Sequence, residues 1–540
     1  MGGRWLSLNF ARRRPSRFHV PPNSKFPIPH CPPRQRRRKN LASLAMTARL
    51  AATPCMENPM SSPTAPARVT RRRDLLLLAL VFGALYFFRL GSYPLSNPDE
   101  GRYAEIPREM LAGHDWVTPR LNGVNYFEKP PLVYWAGAVM QKLLGPSEWS
   151  VRAVPALFAL WGVGLTYLAA RRRHGREAGL AAAGVLGTSL LYFAIGHIPI
   201  LDMAVSVLIA WTLFSFIAGV NEPPGPRRRW LFYQLYIGAA LATLAKGLIG
   251  FLLPGAVMFL WLLVFSQWKR LRPLYLPTGV PLFLAVAAPW HVLAALRNET
   301  WLHRYFVVEH WERFTAVGGG HPGPWWIYIP VLLLGLFPWT GFLWPAGREA
   351  LRGGWARRRE NADVWFLVTW AAFIFLFFST ANTKLAPYIL PVFPPLAVLI
   401  GAALARALYS AEGAVRLRAG WRGFSFVCGL LAVALAVVVS RPTLVKMDAA
   451  KALALQLPVW TMAGTLLLGG IFTPWLAKTR GVRAALAGVA ATMGLFSCAL
   501  IYAAPDIAKP GTRQLALEVK ALAQPGDRVM HYHDFFHDFT

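Results

Sequence analysis

The chain has 540 residues, of which 55% are hydrophobic and 15% are charged, and its formal net charge at pH 7 is +32. A soluble protein usually has about 25% charged residues, so this composition excludes an ordinary soluble domain and predicts a polytopic membrane protein. The positive charge does not indicate nucleic-acid binding, because it is divided between the N-terminal segment and short loops between apolar runs, whereas nucleic acid requires a continuous basic face.

Residues 1–70 are rich in Arg, Pro and Ser and show no hydrophobic periodicity. They lack the short apolar core and the cleavage site of a signal peptide. We interpret them as a disordered cytoplasmic tail. If the tail comes from the choice of start codon, Met46, Met56 or Met60 is the true start, and N-terminal sequencing of the native protein tests this hypothesis.

Apolar runs of about 20 residues follow, which is the length that a membrane-spanning helix needs. They lie at residues 74–90, 151–170, 178–195, 200–219, 230–245, 248–266, 274–291, 325–345, 364–380, 387–408, 422–440, 457–477 and 483–503. Basic clusters fall at every second connection, which by the positive-inside rule places the N-terminus in the cytoplasm and the C-terminus outside. The sequence therefore predicts about thirteen transmembrane helices, with the outer loops at 91–150, 292–323 and 379–387.

The first outer loop, residues 91–150, concentrates carboxylates in a chain that has only 25 Asp and Glu residues. An acid beside the membrane is costly and favours a functional role, so Asp99 is a candidate catalytic residue. The alternative for the Asp99–Glu100 pair is helix capping, in which Asn97 or Asp99 caps a helix that continues to Glu109. One acid can also cap while its neighbour faces a cavity. The concentration of acids predicts a reaction centre at the bilayer surface.

Glu128 and Lys129, in YFEKPPL, precede a double proline that restricts the backbone. They are either an ion pair at the membrane interface or a carboxylate and an ammonium group held at the mouth of a cavity. The amphipathic run that follows, 130–145, is short for a span and is predicted to lie along the interface, with Tyr134 and Trp135 at headgroup depth.

Three isolated ionisable residues, Asp202, Lys246 and Lys384, lie at predicted outer ends of spans. Each could extend its side chain to the headgroups. Their shared placement favours a functional role, and the two lysines suit a phosphate, because a cation in a low dielectric is well stabilised only when an anion joins it.

The segment HRYFVVEHWERF at 303–314 is either an amphipathic helix on the membrane or part of the site. His310 and Glu128 could together bind a divalent metal, although two ligands do not define a metal site. After Tyr502 the pattern predicts a helix at 513–523, a turn and a strand. His531 and His533 would share one face of that strand and could bind a metal, with composition as the only support.

Taken in order, PDEGRYAEIPREM, NYFEKPPLVYW, LDM, AKG, RYFVVEHWERF and KLAPYILPVFPPL resemble the bacterial membrane glycosyltransferases related to protein O-mannosyltransferases. The resemblance is strongest to the aminoarabinose transferases that modify lipid A, and it extends over residues 74–503. It implies the GT-C fold over 71–503, with interfacial helices in the first outer loop and the start of an α/β periplasmic domain, incomplete in this sequence, over 504–540. These enzymes take sugar from a polyprenyl-phosphate carrier.

Matched position by position, the resemblance makes Asp99 the catalytic acid and pairs Glu128 with Lys129 in the catalytic loop. It places Lys129 near the carrier phosphate, and Arg313 and Tyr388 match residues expected to hold that phosphate. The predicted catalytic residues are Asp99 and Glu128. The predicted substrate-binding residues are Arg102, Lys129, Asp202, Lys246, His310, Arg313, Lys384 and Tyr388.

The sequence thus predicts an all-α inner-membrane glycosyltransferase that moves a sugar from a polyprenyl-phosphate carrier to a periplasmic acceptor, with lipid A as the first choice. A protein or another glycan is the alternative acceptor. A transporter is the rival from another class, since isolated Asp and Lys residues at span ends also fit ion-coupled transport, but no inverted repeat is evident. No cofactor is predicted beyond the metal considered at Glu128 and His310, and the partners are membrane lipids and not nucleic acid.

Overall fold

The computed structural model describes residues 65–96, 98–312, 321–445, 447–507, 511–524 and 527. Several sequence predictions therefore lie outside the described residues: the tail up to residue 64, Asn97 as a helix cap, Arg313 as a phosphate ligand, and the pair His531 and His533. The side chain of His310 is also outside what the structure describes. The predicted domain boundaries stay predictions.

Helices make up nearly all of the described chain. The α-helices are α1 Ala65–Phe87, α2 Asp99–Ala112, α3 Leu132–Leu144, α4 Glu148–His174, α5 Arg176–Thr188, α6 Leu190–Ile195, α7 Leu201–Val220, α8 Pro226–Lys246, α9 Ile249–Phe265, α10 Leu276–Arg297, α11 Tyr328–Gly335, α12 Leu343–Ala350, α13 Ala362–Thr380, α14 Phe393–Tyr409, α15 Ala411–Arg416, α16 Arg418–Ser440, α17 Ala449–Thr479, α18 Val482–Ile507 and α19 Arg513–Leu522. The last of these confirms the helix predicted at 513–523.

Shorter elements connect these helices. A π-helix spans His303–Glu312, and 3-10 helices lie at Trp268–Leu271, Trp325–Ile327, Thr340–Phe342, Trp355–Arg357, Ala386–Val392 and Pro442–Val445. Two strands, β1 Arg120–Leu121 and β2 Val124–Asn125, pair antiparallel between α2 and α3, with Leu121 opposite Val124.

Eight stretches of the described chain are long and apolar enough to cross a membrane, judged by length and composition. They are residues 148–174, 201–220, 276–297, 362–380, 386–409, 411–440, 449–479 and 482–507. The segments Trp325–Gly335 and Thr340–Ala350 meet at 105° and make a ninth if they form one bent span. The prediction of an all-α, multi-pass membrane protein is confirmed, whereas the predicted number of thirteen spans is not.

The other four predicted spans are shorter or more polar than these. The run 178–195 is interrupted, because α5 ends and Ser189 adopts an extended conformation before the six residues of α6. The run 248–266 coincides with α9, which has 17 residues. The runs 74–90 and 230–245 lie on α1 and α8, which both carry consecutive arginines near their N-termini.

Consecutive arginines at the C-terminal end of α4 tie several helices together. The pairs are Arg171 with Asp74 of α1, Arg172 with Glu222 after α7, and Arg173 with Asp363 of α13. Because successive helical residues point about 100° apart, three neighbouring side chains can reach three different helices. This part of the basic charge therefore has a structural role as well as the predicted topological one.

The first loop, residues 88–147, folds onto the helical core through α2, the β1–β2 hairpin and α3. The predicted interfacial run is helical, as α3, but Tyr134 is fully buried. Its ring stacks on Tyr103 with centroids 5.8 Å apart and meets the edge of Tyr126. The Tyr134 ring therefore packs between α2 and α3 within the protein, and its position at headgroup depth stays a prediction.

Candidate active site

A buried arginine in α4 anchors the N-terminal part of the first loop. The side chain of Arg152 is 0% exposed, and its Nε and Nη2 donate to the Glu100 carboxylate at 3.0 and 2.8 Å. Its Nη groups also donate to the backbone carbonyls of Leu90, Tyr93 and Pro94 at 2.9–3.2 Å. These bonds satisfy a cation that would otherwise be costly to bury. Arg152 therefore sets the path of the chain that leads into α2.

This anchor separates the roles of the two neighbouring acids. Glu100 is 4% exposed and is bound by Arg152, whereas the side chain of Asp99 is 61% exposed. Pro98 occupies the cap position of α2, and no side chain caps the helix there. The prediction that Asp99 caps a helix is therefore wrong. Asp99 begins the helix with its carboxylate exposed.

Arg102, one turn along α2, lies between the candidate catalytic acids. Its Nη1 is 3.9 Å from the Asp99 carboxylate and donates to the Tyr126 hydroxyl at 3.4 Å. The Tyr126 hydroxyl also bonds to the Glu128 carboxylate, and burial followed by the Glu128 charge raises the pKa of Tyr126. Burial acts to lower the pKa of Arg102, but Tyr126, Tyr103, Glu128 and Asp99 outweigh it and raise that pKa. The structure thus brings Asp99, Arg102 and Glu128 together.

Lys129 bridges the first loop to the π-helix. Its Nζ donates to the backbone carbonyl of Glu128 at 2.9 Å and to the Glu309 carboxylate at 3.2 Å. The Lys129 side chain is 21% exposed and that of Glu309 is 7% exposed, so the pair is largely shielded from water. The Lys129 ammonium group therefore pairs with a carboxylate that is distant in sequence. This contact does not decide between the two alternatives for the Glu128–Lys129 pair.

A second ion pair lies at the ends of α7 and α8. Lys246 Nζ is 2.5 Å from Asp202 Oδ1 and 4.5 Å from the centroid of the Tyr388 ring, which is a cation–π geometry. The three side chains line one narrow cleft whose remaining wall is apolar, and these apolar residues are Val205, Ile209, Ile249, Leu253, Phe378, Pro387 and Pro391. Lys246 and Asp202 therefore face each other inside the protein, which contradicts the alternative that each extends to the headgroups.

Tyr103 links the first loop to this cleft. Burial raises the pKa of its hydroxyl, and the adjacent Tyr126 and Asp202 raise it further, with a smaller contribution from Asp99. One tyrosine therefore lies within electrostatic range of an acid on α2 and an acid on α7. The predicted residues of the first loop and of α7 adjoin in space.

Lys384 occupies a different place from Lys246. Its Nζ donates to the backbone carbonyls of Ser379, at 3.0 Å, and Ala381, at the C-terminal end of α13. Its side chain lines a separate cavity of about 630 Å³. A cation at a helix C-terminus compensates the unpaired carbonyls and the negative end of the dipole. Lys384 therefore caps α13, and the structure does not bring it into the cleft with Lys246.

Several other acids of the first loop are occupied by local contacts. Glu105 pairs with Arg108 at 2.6 Å, and Glu109 accepts from the Gly123 amide, although burial raises its pKa. Burial acts to raise the pKa of Asp115, but the amides of Thr118 and Val117 and the Arg120 guanidinium outweigh it and lower that pKa. Glu105, Glu109 and Asp115 therefore have structural contacts, and the reaction centre predicted from the concentration of acids stays a prediction.

No group of three or more His, Cys, Asp and Glu side chains that could hold a metal occurs among the described residues. The proposed metal contacts at Glu128 and His310 stay a prediction, since the His310 side chain is not described.

Comparison with known proteins identifies the family. A family model described as dolichyl-phosphate-mannose-protein mannosyltransferase matches residues 128–292. The undecaprenyl phosphate-α-4-amino-4-deoxy-L-arabinose arabinosyl transferase of Aeromonas salmonicida is 34% identical over 409 residues, which cover 74% of this chain and 73% of the relative. The chain belongs to this arabinosyl transferase family.

Other arabinosyl transferases of the family show the same similarity. That of Pectobacterium carotovorum is 36% identical over 336 residues, or 60% of this chain, and the chain covers only 58% of that relative's length. The crystal structure of ArnT from Cupriavidus metallidurans bound to undecaprenyl phosphate is 30% identical, with a TM-score of 0.76. The alignment covers 88% of this chain and 84% of ArnT, so the GT-C architecture is shared.

Three residues beside the site escaped the sequence reasoning. Arg152 lies inside an apolar run, where a lone arginine next to an acid-rich loop is a usable signal. Tyr126 directly precedes the Phe-Glu-Lys motif, and Glu309 lies in the segment 303–314, in which the sequence singled out only His310 and Arg313. The partners of Arg152 and Glu309 are distant in sequence, so only the fold reveals what these two residues contact.

Proposed function

We propose that this protein transfers 4-amino-4-deoxy-L-arabinose from undecaprenyl phosphate to lipid A. The observation that carries the proposal is the similarity to ArnT of Cupriavidus metallidurans, solved with undecaprenyl phosphate bound, over 84% of the ArnT chain. In the proposed reaction the bond between sugar C1 and the carrier phosphate oxygen breaks, and C1 bonds to an acceptor oxygen. Undecaprenyl phosphate leaves, and neither a nucleotide nor water is consumed.

The donor phosphate would be held by cations of the first loop and the cleft. Lys129 and Lys246 are both shielded from bulk water, where their interaction with developing negative charge on the leaving phosphate is strong. Apart from Asp202 and Tyr388, the wall of the cleft beside Lys246 is apolar, which keeps the dielectric around its ammonium group low. Tyr388 lines that cleft, and Arg313 remains a predicted phosphate ligand.

Asp99 would act on the acceptor side, since its carboxylate is exposed at the start of α2. A hydroxyl acceptor needs a general base, which an accessible carboxylate can supply. A lipid A phosphate is already ionised, with a second pKa of about 6, and needs no base. With that acceptor, Asp99 would orient the phosphate through Arg102 or stabilise positive charge that develops on the sugar.

The proposal places the protein in the bacterial inner membrane, with the first loop and the C-terminus on the periplasmic side. The convergence of basic clusters supports this orientation by the positive-inside rule. Arg172 and Arg227 share Glu222, and Arg173 and Arg270 share Asp363, so three of the basic clusters meet at one end of the helices.

A protein acceptor is the second candidate, and the match of residues 128–292 to the protein mannosyltransferase model favours it. The two acceptors differ in chemistry, because a serine or threonine hydroxyl requires proton removal and a phosphate does not. With a protein acceptor, the rate of transfer should therefore depend on ionised Asp99, which would act as the general base.

The test is transfer of label from radiolabelled undecaprenyl-phosphate sugars in membranes that contain wild-type protein or Asp99→Asn. Glu299→Gln is the matched control, because Glu299 is an exposed carboxylate outside the site. Label in lipid A with wild type and control, but not with Asp99→Asn, supports the proposal. Label in protein with the same dependence replaces lipid A by the second candidate. Activity of Asp99→Asn near that of wild type would remove Asp99 from the site.

A further inference from the structure

Lys129 pairs with an anion of the protein itself. The Glu309 carboxylate lies 3.2 Å from its ammonium group, and 180 residues separate the two in sequence. Both side chains are largely shielded, with exposures of 21% for Lys129 and 7% for Glu309. Charges in such surroundings interact more strongly than at an exposed surface. A phosphate that binds Lys129 therefore meets a carboxylate already in place.

The π-helix that carries Glu309 is itself anchored. Trp301 and Tyr305 are buried, stack with ring centroids 4.8 Å apart, and pack against Trp290 and His291 of α10. π-Helical turns are rare in proteins, and those that do occur are often found at functional sites. The aromatic cluster anchors one end of the segment on α10. The contact of Glu309 with Lys129 then links the π-helix to the first loop.

We propose that Glu309 is the internal counter-ion of Lys129 and sets the affinity of this site for lipid-linked phosphate, because the phosphate must displace or share with its carboxylate. This inference rests on the proposed function. Glu309 is a positioning residue, since it acts on the substrate through Lys129.

The charge of the two carrier species gives Glu309 a direction of action. The sugar donor is a phosphodiester with one negative charge, and the product, undecaprenyl phosphate, is a monoester that carries more than one near neutral pH. By pairing with Lys129, Glu309 reduces the attraction between the ammonium group and a phosphate, and this attraction grows with the charge of the ligand. Glu309 therefore disfavours the product more than the donor and promotes release of the spent carrier.

The test is titration of the purified full chain in nanodiscs with undecaprenyl phosphate. Glu309→Gln keeps the shape of the side chain and removes its charge, and we expect it to tighten binding about tenfold, within the usual range of coupling between sites. For a sugar-linked phosphodiester we expect a smaller gain, about threefold, because the ligand carries less charge. Glu312→Gln, three residues along the same π-helix, is the control and should change neither affinity.

The same titration in a Lys129→Met background separates the possible failures. If Lys129→Met binds undecaprenyl phosphate as tightly as the wild type does, the donor site of the proposed function is refuted. Binding that depends on Lys129 but is unchanged or weakened by Glu309→Gln would overturn only this inference. Equal tightening by Glu309→Gln with and without Lys129 would also overturn it. If Glu309→Gln fails to fold, Glu309→Asp, whose shorter side chain holds the charge farther from Lys129, should tighten binding to a smaller extent, and no tightening would count against the proposal.

Discussion

Replacement of Arg152 by methionine should destabilise the protein and reduce transfer together. Methionine has a similar length but removes the cation that pairs with Glu100 and the donors to the carbonyls of Leu90, Tyr93 and Pro94. The chain before α2 then loses its anchor, and Asp99 loses its position at the first turn of the helix.

The size of the effect follows from burial. Arg152 is 0% exposed and Glu100 is 4% exposed, so the substitution leaves a carboxylate buried without its cation. Removal of one partner of a buried ion pair costs about 3–5 kcal/mol, mostly because the remaining charge is uncompensated. Arg120→Met is the matched control in the same loop. Its pair with Asp115 is more exposed, and such a pair contributes about 0–1 kcal/mol.

The assay is thermal unfolding of the purified variants in detergent, with sugar transfer measured on the same samples. The double variant Arg152→Met, Glu100→Gln removes both charges and should recover part of the lost stability. Its transfer activity should stay low, since the anchor to the backbone carbonyls is still absent. If the single variant unfolds like wild type, or if the double variant is less stable than the single one, the reasoning from the orphaned charge is refuted.

Three further predictions test the rest of the site. Lys129→Ala should raise the KM for the lipid donor and also lower the unfolding temperature, because the shielded Glu309 carboxylate loses its partner. An unchanged KM in initial-rate measurements would count against phosphate binding there. The double variant Asp202→Asn, Lys246→Met should destabilise the protein by less than the sum of the two single effects. The difference, measured in a double-mutant cycle of thermal unfolding, should be about 0.5–3 kcal/mol. Because the pKa of Asp115 is lowered in the folded state, its stabilising contribution is complete above the ordinary carboxyl range of about pH 4 and is lost as the pH falls through the lowered value. Asp115→Asn should therefore show a smaller loss of unfolding temperature on acidification than wild type, and identical pH profiles would contradict this.

Features that depend on neighbouring residues were predictable from the sequence. Apolar runs of sufficient length predicted helices because a backbone in lipid must satisfy its own hydrogen bonds, and a helix does so within one segment. The break in the apolar pattern after the first run located the loop that carries Asp99, Arg102 and Glu128. These side chains do come together, since α2 and the segment after β2 belong to one short stretch of chain.

The partners of the charged side chains were decided by the tertiary structure. Arg152 meets Glu100 across 52 residues, Lys246 meets Asp202 across 44, and Lys129 meets Glu309 across 180. Such a pair depends on how separate helices pack, and no local pattern in the sequence contains that distance. Lys384 shows the same limit, because in the sequence its position at a span end resembles that of Lys246. Only the structure shows that Lys384 bonds to the carbonyls at the C-terminal end of α13. The sequence by itself determined which residues carry charge beside the membrane. The fold determined which of those charges lie buried against each other and which, like Asp99, are left exposed.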